Sequence, residues 1–226
     1  MAIDTMINEI LIEIYQLLFD RFGPQHWWPG DTQFEIIIGA ILTQNTNWAN
    51  VEKAIANLKS ADYLSPEELH HLDLPRLAEL IRPAGYFNIK AKRLKNFINW
   101  LFDNHGGELS NLESIDTERL RTELLAIKGI GRETADSILL YALDRPIFVV
   151  DAYTARVAIR HGLIELDADY EQLRQLYQSN LPEDVQLFNE YHALLVKVGK
   201  LFCKPKAQCP GCPLEKLPHN PDIEYF

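Results

Sequence analysis

The sequence predicts an all-α fold, and three observations support that prediction. Apolar residues recur at three- and four-residue spacing along almost the whole chain. No alternating run bounded by hairpin turns competes with this pattern. With 47% hydrophobic and 24% charged residues, a chain of 226 residues can bury a proper core, in one domain or two small ones.

Helix boundaries are predicted by residues that break or start helices. Pro24, Pro29 and Gly30 break the chain after the first helix, and His161-Gly162 is typical of a helix end. Ser-Pro-Glu-Glu at 65–68 and Asp-Thr-Glu at 116–118 are typical of helix starts. The apolar spacing predicts helices within 7–22, 34–42, 51–58, 77–81, 89–102, 120–127, 135–143, 155–159, 173–177 and 185–202.

The net charge of −10 argues against a nucleic-acid partner for the chain as a whole, because phosphate would repel it. Any contact with nucleic acid must therefore be local. Positive side chains do cluster, although a solvated helix face explains such runs equally well. The clusters are Lys90, Lys92, Arg93 and Lys95; Lys128 and Arg132; and Lys197, Lys200, Lys204 and Lys206.

The remaining bulk features concern location and cysteine chemistry. No apolar run reaches the roughly 18 residues that a membrane span needs, and the N-terminus lacks the pattern of a secretory signal. We therefore expect a cytoplasmic protein with no membrane partner. Three cysteines, Cys203, Cys209 and Cys212, lie in one short tail, which favours a metal or cluster site over disulfides.

The stretch 124–135 predicts a helical hairpin. Its two amphipathic helices meet at 129–131, Gly-Ile-Gly, and glycine suits a turn that needs a positive φ or the close approach of another group. Amides at the start of the second helix form an anion site, so a phosphate could bind there beside Lys128 and Arg132. A plain hairpin, which needs only one glycine, explains the pattern equally well.

Downstream, the apolar segment 146–150 leads to Asp151, directly before another helix. The helix dipole and free amides favour a carboxylate there and keep it ionised at neutral pH. Ordinary N-capping is the common alternative. The combination is rarer, and with it the chain resembles the endonuclease III superfamily of DNA glycosylases, whose hallmark is a helix-hairpin-helix, a Gly/Pro-containing link and then an aspartate.

This resemblance covers nearly the whole chain and implies its organisation. Residues 26–145 would form a six-helix domain with the hairpin. Residues 1–25 and 146–226 would form a second helical domain that ends in the cysteine loop. A DNA groove would run between the two domains, with Asp151 at its mouth. The implied partner is double-stranded DNA with a damaged base, and we expect the chain to act as a monomer, associated with the nucleoid when at work.

By the same resemblance, Gln44 within 41–46 would enter the duplex and fill the space left by an extruded base. Tyr86 within 85–88 would wedge into the opposite strand. Asp151 would act on an oxocarbenium-like sugar, by stabilising the cation, orienting water, or both. Further DNA contacts would come from Lys128, Gly129, Ile130, Gly131 and Arg132.

Glu133 departs from the family pattern. Members that also cut the DNA backbone carry a lysine in the second hairpin helix, which attacks the sugar and forms a Schiff base. Glu133 stands at that position, and a carboxylate cannot form an imine. The sequence thus predicts a monofunctional glycosylase that leaves an abasic site. Glu133 could assist the catalytic water or repel phosphate, and a solvent-facing residue without a role explains it equally well.

Three tryptophans predict a base pocket: Trp27, Trp28 and Trp48. Aromatic rings stack on a flipped base, and their faces attract a cationic alkylated base more strongly. The resemblance is strongest to the 3-methyladenine glycosylases of the superfamily, and it is carried by Trp-Trp-Pro at 27–29 together with the segments 42–46, 82–88 and 131–133. Oxidised pyrimidines and mismatched thymine or uracil are the alternative substrates. A purely structural role, in which Trp27 and Trp28 fill the junction between domains, also stays open.

The cysteine tail is similar to the iron-sulfur loop of many relatives, where four thiolates hold a [4Fe-4S] cluster. Here Pro218 falls where the fourth cysteine is expected, and His219 is the nearby substitute for it beside Cys203, Cys209 and Cys212. The alternatives are a zinc site, or a degenerate loop that holds no cluster.

Two further function classes stay open. One is a non-catalytic DNA-binding module, and the other is a redox or iron-responsive protein centred on the cysteine tail.

Overall fold

The computed structural model describes residues 2–223, and within that range it is helical with no β-strand, so the all-α prediction is confirmed. No helix of this range is long and apolar enough to cross a membrane. The α-helices are α1 (Ala2–Phe22), α2 (Gln33–Leu42), α3 (Trp48–Ser60), α4 (Pro66–His71), α5 (Leu74–Leu80), α6 (Phe87–His105), α7 (Thr117–Ala126), α8 (Arg132–Ser137), α9 (Ala152–Arg160), α10 (Tyr170–Asn180) and α11 (Val185–Leu201).

The chain divides into two compact units. The terminal unit comprises Met1–Trp27 and Pro146–Phe226, and the central unit comprises Trp28–Arg145. The hairpin belongs to the central unit, and Asp151 belongs to the terminal unit.

Capping side chains start the helices where the sequence predicts starts. Ser65 Oγ accepts a hydrogen bond from the Glu68 amide, and Asp116 Oδ1 accepts from the amides of Glu118 and Arg119. These bonds satisfy amides that have no partner within the first helical turn. The predicted end at His161-Gly162 is confirmed too, since α9 stops at Arg160 and Gly162 adopts a φ of +67°.

The segment predicted as one helix over 135–143 is irregular. It begins as α8 and widens into a π-helical turn at Ile138–Ala142, closed by a bond from the Leu143 amide to the Ile138 carbonyl. Every residue of 134–142 is buried, so apolar spacing does not reveal the change of pitch. Such widened turns occur mainly at functional sites. Short 3₁₀ turns at Arg82–Ala84 and Leu109–Leu112 were also missed by the spacing.

An aromatic core holds the terminal unit together. Phe148 stacks on Tyr177 with ring centroids 4.1 Å apart, and the Tyr191 hydroxyl donates to the Leu11 carbonyl at 2.8 Å. These contacts join α1, α10 and α11 to the strand-like segment before Asp151. Burial of an aromatic side chain of this size stabilises the folded state by about 1.5–3 kcal/mol of free energy. Asp151 therefore follows directly on a rigid core.

Candidate active site

Asp151 caps helix α9. Its Oδ1 accepts hydrogen bonds from the amides of Tyr153 and Thr154, at 2.9 and 2.8 Å, and from Thr154 Oγ1 at 3.0 Å. The side chain is 12% exposed. Both the capping and the position predicted from the sequence are therefore present, and one carboxylate oxygen is fully engaged by its own helix.

The second oxygen of Asp151 faces a histidine that the sequence reasoning missed. His192 Nε2 on α11 lies 3.6 Å from Asp151 Oδ2, and the His192 side chain is 6% exposed. Burial raises the pKa of Asp151, but the contact and charge of His192 and the bonds from Thr154 outweigh burial and hold that pKa below its usual range. A single histidine on the buried face of a helix gives little signal in one sequence.

The close packing of α9 on α11 requires a glycine. A Cβ added at Gly199 on α11 would lie 2.5 Å from Tyr153 Cδ1, which no real contact tolerates. Glycine at this position therefore lets α11 approach the first turn of α9. His192 lies two turns before Gly199 on the same helix, and this approach brings it to Asp151.

The hairpin turn uses its two glycines differently. Gly129 adopts a φ of +100°, and a Cβ there would lie 2.4 Å from Arg93 Cγ on α6. Gly131 caps α8 in an extended conformation, and a Cβ there would meet nothing within 4 Å. Gly129 is therefore required by the fold, whereas the space beside Gly131 is open to a ligand.

Ile130 lies inside the turn, and its DNA contact stays a prediction. Its side chain is buried, and its amide donates to the Ile127 carbonyl at 3.0 Å within the turn. The Ile130 amide is therefore already used in a hydrogen bond within the turn. From residue 127 to residue 133, the exposed residues are Lys128, Gly131, Arg132 and Glu133.

Gln44 is held against the hairpin. Its Nε2 donates to the Gly129 carbonyl at 3.2 Å and to Thr134 Oγ1 at 2.8 Å, and Arg93 Nη1 donates to its Oε1. The structure thus brings together two features that the sequence singled out separately, Gln44 and the Gly-x-Gly turn. Arg93, which links them, was seen only as part of a basic cluster.

Tyr86 projects from the loop between α5 and α6. Its side chain is 69% exposed, and the residue adopts a left-handed backbone, with φ of +45°, directly before α6. An exposed ring on a strained backbone position is unusual for a residue with a purely structural role. This placement is compatible with an inserting wedge.

The basic cluster of α6 is mostly unavailable to a phosphate. Lys90 is 1% exposed, and its Nζ donates to the carbonyls of Leu42 and Ala84 at 2.8 and 2.7 Å. Lys95 donates to the carbonyls of Leu69 and His70. A solvated positive charge is wrong for Lys90, which is buried, and Lys95 is half-buried, because main-chain carbonyls accept hydrogen bonds from both ammonium groups. Lys90 instead ties the segment that carries Gln44 to the loop that carries Tyr86.

Two of the three candidate pocket tryptophans pack together in the central unit. The Trp28 and Trp48 rings meet edge to face, with centroids 5.2 Å apart, and Tyr141 contacts Trp28 at 5.1 Å. Gly39 on α2 makes room for them, since a Cβ there would lie 3.1 Å from Trp28 Nε1. Trp27 belongs to the terminal unit, where Lys200 Nζ lies 5.9 Å from its ring centroid.

The cysteine tail does not form a metal-ligand set. Cys203, Cys209, Cys212 and His219 line one cavity, yet among the described residues no three Cys, His, Asp or Glu side chains are placed to share a metal ion. Arg160 Nη1 donates to Cys203 Sγ at 3.3 Å.

The remaining ligand candidates are the thiols of Cys209 and Cys212 and the imidazole of His219. Burial raises the pKa of the Cys209 and Cys212 thiols, and the charge of Cys203 adds to the effect. His219 Nδ1 donates to the Leu217 carbonyl at 2.8 Å, which leaves Nε2 as the nitrogen that could bind a metal. The misfit therefore lies in the arrangement: within residues 2–223 no three such side chains are placed to share an ion, so they do not fit the predicted [4Fe-4S] or zinc site as arranged.

Comparison with protein-family models decides the family. Residues 38–183, which include Gln44, the hairpin and Asp151, match the model of the HhH-GPD superfamily base excision DNA repair proteins. The chain belongs to this superfamily. It is a DNA glycosylase of base excision repair, and the resemblance to the endonuclease III superfamily is confirmed.

Individual relatives agree with this family. The chain is 50% identical over 92% of its length to a candidate DNA repair glycosylase of Methanocaldococcus jannaschii, covering 96% of that protein. It is 31% identical to endonuclease III of Sulfolobus acidocaldarius, covering 79% of this chain and 78% of that one. The solved 3-methyladenine DNA glycosylase of H. pylori, bound to 1,N6-ethenoadenine, is 30% identical, with a TM-score of 0.70 and coverage of 87% and 97%.

Proposed function

We propose that this glycosylase removes alkylated bases, with 3-methyladenine favoured, by hydrolysis of the N-glycosidic bond and without cutting the DNA backbone. The observation that carries the proposal is Glu133, exposed in the first turn of α8. A carboxylate there cannot form the Schiff base that a lysine would form. A base that leaves readily suits an enzyme that relies on water, and a cationic alkylated base leaves readily.

The aromatic group of the central unit supports an alkylated substrate. Trp28 and Trp48 pack edge to face beside Gly39, with Tyr141 behind Trp28. Indole faces attract a cationic ring by about 0.5–2 kcal/mol more than a neutral one of the same shape. The likeness to the H. pylori 3-methyladenine glycosylase, at 30% identity, points to the same substrate class.

In this proposal Asp151 supplies the negative charge for base removal. Its pKa lies below the usual range, so it is an anion at neutral pH. Its three bonds at Oδ1 fix the carboxylate, and a fixed anion stabilises an oxocarbenium-like sugar without reorganisation. The same carboxylate can orient the attacking water.

The DNA contacts follow from the hairpin and the two loops. A backbone phosphate would bind at the open space beside Gly131, with Lys128 and Arg132 adding charge. Gln44 would leave its bonds with Gly129 and Thr134 to fill the space of the extruded base, while Tyr86 wedges into the opposite strand.

Released bases test the substrate. Purified protein is incubated with duplex DNA treated with a methylating agent, with an oxidised duplex, and with duplexes that contain thymine or uracil mismatches. We expect free 3-methyladenine from the first and little release from the others. Release only from oxidised DNA would replace the proposal with the endonuclease III-like alternative, which the 31% identity to the Sulfolobus acidocaldarius enzyme favours.

Borohydride trapping tests the absence of strand cleavage. We expect no covalent complex between wild-type protein and damaged DNA, and abasic sites that are cut only after alkali treatment. Glu133→Lys is the informative variant, because it places an amine where lyase members of the family carry one. A trapped complex with the wild-type chain would contradict the monofunctional mechanism.

A further inference from the structure

The two oxygens of Asp151 are in different situations. Oδ1 accepts all three bonds from α9, at 2.8–3.0 Å. Oδ2 receives none of them, and the polar group facing it is His192 Nε2, at 3.6 Å. The oxygen that is not used in capping α9 therefore faces a side chain of a different helix, α11.

The surroundings of this pair are dry and aromatic. His192 and Asp151 are 6% and 12% exposed, and Tyr177 from α10 is fully buried. The Asp151 charge and burial both raise the pKa of Tyr177, so this phenol stays neutral. Among the described residues of the terminal unit, the Tyr177 hydroxyl has no hydrogen-bond partner. Two ionisable side chains therefore interact with Asp151, His192 from α11 and Tyr177 from α10.

A buried carboxylate without a partner becomes protonated, because burial in low dielectric disfavours charge. Three bonds at Oδ1 offset part of that cost, but they leave Oδ2 unaccompanied. An imidazolium, or the N–H dipole of a neutral imidazole, attracts Oδ2 electrostatically across 3.6 Å, a separation longer than a hydrogen bond. It also selects one rotation of the carboxylate about its Cβ–Cγ bond.

We propose that His192 is a positioning residue that holds Asp151, through Oδ2, as an anion in the one orientation from which it acts on the sugar. The inference rests on the proposed function of Asp151 and extends it. His192 does not touch the substrate in this scheme. Its effect is exerted through Asp151, and it therefore changes the rate of base removal and not the binding of DNA.

The first test measures Asp151 directly, in protein without DNA. The carboxyl ¹³C resonance of Asp151, assigned by its loss in Asp151→Asn, is titrated in wild type and in His192→Leu. We expect the apparent pKa of Asp151 to rise by about one unit or more in the variant, because burial is then unopposed. An unchanged titration would overturn the proposal whatever the enzyme's substrate proves to be.

The second test measures single-turnover release of 3-methyladenine from methylated duplex DNA. We expect His192→Leu to lower the rate at least about tenfold, since a misplaced catalytic group costs that much or more. The dissociation constant for a duplex with a tetrahydrofuran abasic analogue should change by less than about twofold. The acid limb of the pH–rate profile should move to higher pH together with the NMR titration.

Two further variants separate positioning from packing. His192→Gln keeps an N–H donor at about the reach of Nε2, so we expect it to recover most of the rate. Tyr177→Phe is the matched control, because it removes a buried polar atom from the same cluster without removing a hydrogen bond, and it should retain the wild-type pH profile. Equal losses in His192→Leu, His192→Gln and Tyr177→Phe would overturn the proposal and leave a packing role.

Failure of the proposed function gives a different result. Wild-type protein that releases no 3-methyladenine refutes the substrate, while the Asp151 titration still decides the role of His192. Conversely, an active wild type with an inactive Asp151→Asn and a fully active His192→Leu would refute this inference alone.

Discussion

Arg121 and Asp136 form a buried, two-point ion pair that joins the helices of the hairpin. Arg121 Nε and Nη2 donate to the two carboxylate oxygens of Asp136 at 2.6 and 3.0 Å, and the side chains are 8% and 0% exposed. The pair ties α7 to α8 behind the turn. It therefore fixes the geometry of the surface that we propose binds phosphate.

Removing one member of this pair should destabilise the protein strongly. Asp136→Ala removes both of these hydrogen bonds from the buried Arg121 guanidinium, and we expect the free energy of unfolding to fall by about 3–5 kcal/mol in urea titrations. Arg119→Ala is the control, because Arg119 pairs with Glu123 on the exposed side of α7, and it should cost less than about 1 kcal/mol. Similar losses for both variants would contradict the burial argument.

The two hairpin glycines should respond differently to alanine. Gly129→Ala forces a side chain into a φ of +100° and against Arg93, and we expect a loss of about 1–3 kcal/mol in unfolding free energy. Gly131→Ala should cost less than about 1 kcal/mol, because its Cβ meets nothing. If phosphate binds beside Gly131, this second variant should nevertheless bind DNA more weakly in fluorescence anisotropy. Unchanged affinity would place the phosphate elsewhere.

Asp151→Asn should abolish base release while leaving the fold intact. Asparagine caps a helix about as well as aspartate, so α9 keeps its first turn. The variant lacks the anion, and we expect the single-turnover rate to fall at least about 100-fold, with DNA affinity retained. Full activity in this variant would refute the assignment of Asp151.

The lowered pKa of Lys90 should make the free energy of unfolding depend on pH. Burial lowers the pKa of Lys90 from 10.5 to about 8, and the charge of Arg93 adds to the effect. Between these values the unfolded chain binds more protons than the folded one, so this group's contribution to stability rises as the pH rises from about 8 towards 10.5. The slope is at most about 1.4 kcal/mol per pH unit for one proton.

Comparison of wild type with Lys90→Met isolates this contribution. We expect the unfolding free energy of wild type, minus that of Lys90→Met, to increase as the pH rises from about 8 towards 10.5. Lys92→Met is the control, because Lys92 is exposed on the same helix, and its difference from wild type should stay flat. A flat difference for Lys90→Met as well would mean that Lys90 keeps the ordinary pKa of a solvated amine.

Much of this protein is predictable because its signals are local. Helix starts such as Ser65 and Asp116, and the positive φ at Gly129, follow from residues within one turn of the chain. Asp151 was found in the same way, since capping depends on the residues that follow it. The π-helical turn at Ile138–Ala142 was missed, because uniform burial removes the periodic signal that pitch would leave.

The all-α class, the hairpin, Asp151 as a candidate and Glu133 in place of a lysine can all be predicted from the order of the residues. Which side chains meet follows from the folded chain alone: His192 lies at Asp151, Arg93 at Gln44, and Lys90 between the carbonyls of Leu42 and Ala84. Lys90, which was expected to carry a surface charge, is instead buried and links two segments of the central unit. The reason is that a buried polar group must find a partner wherever the fold offers one, and that partner is set by packing and not by spacing along the chain.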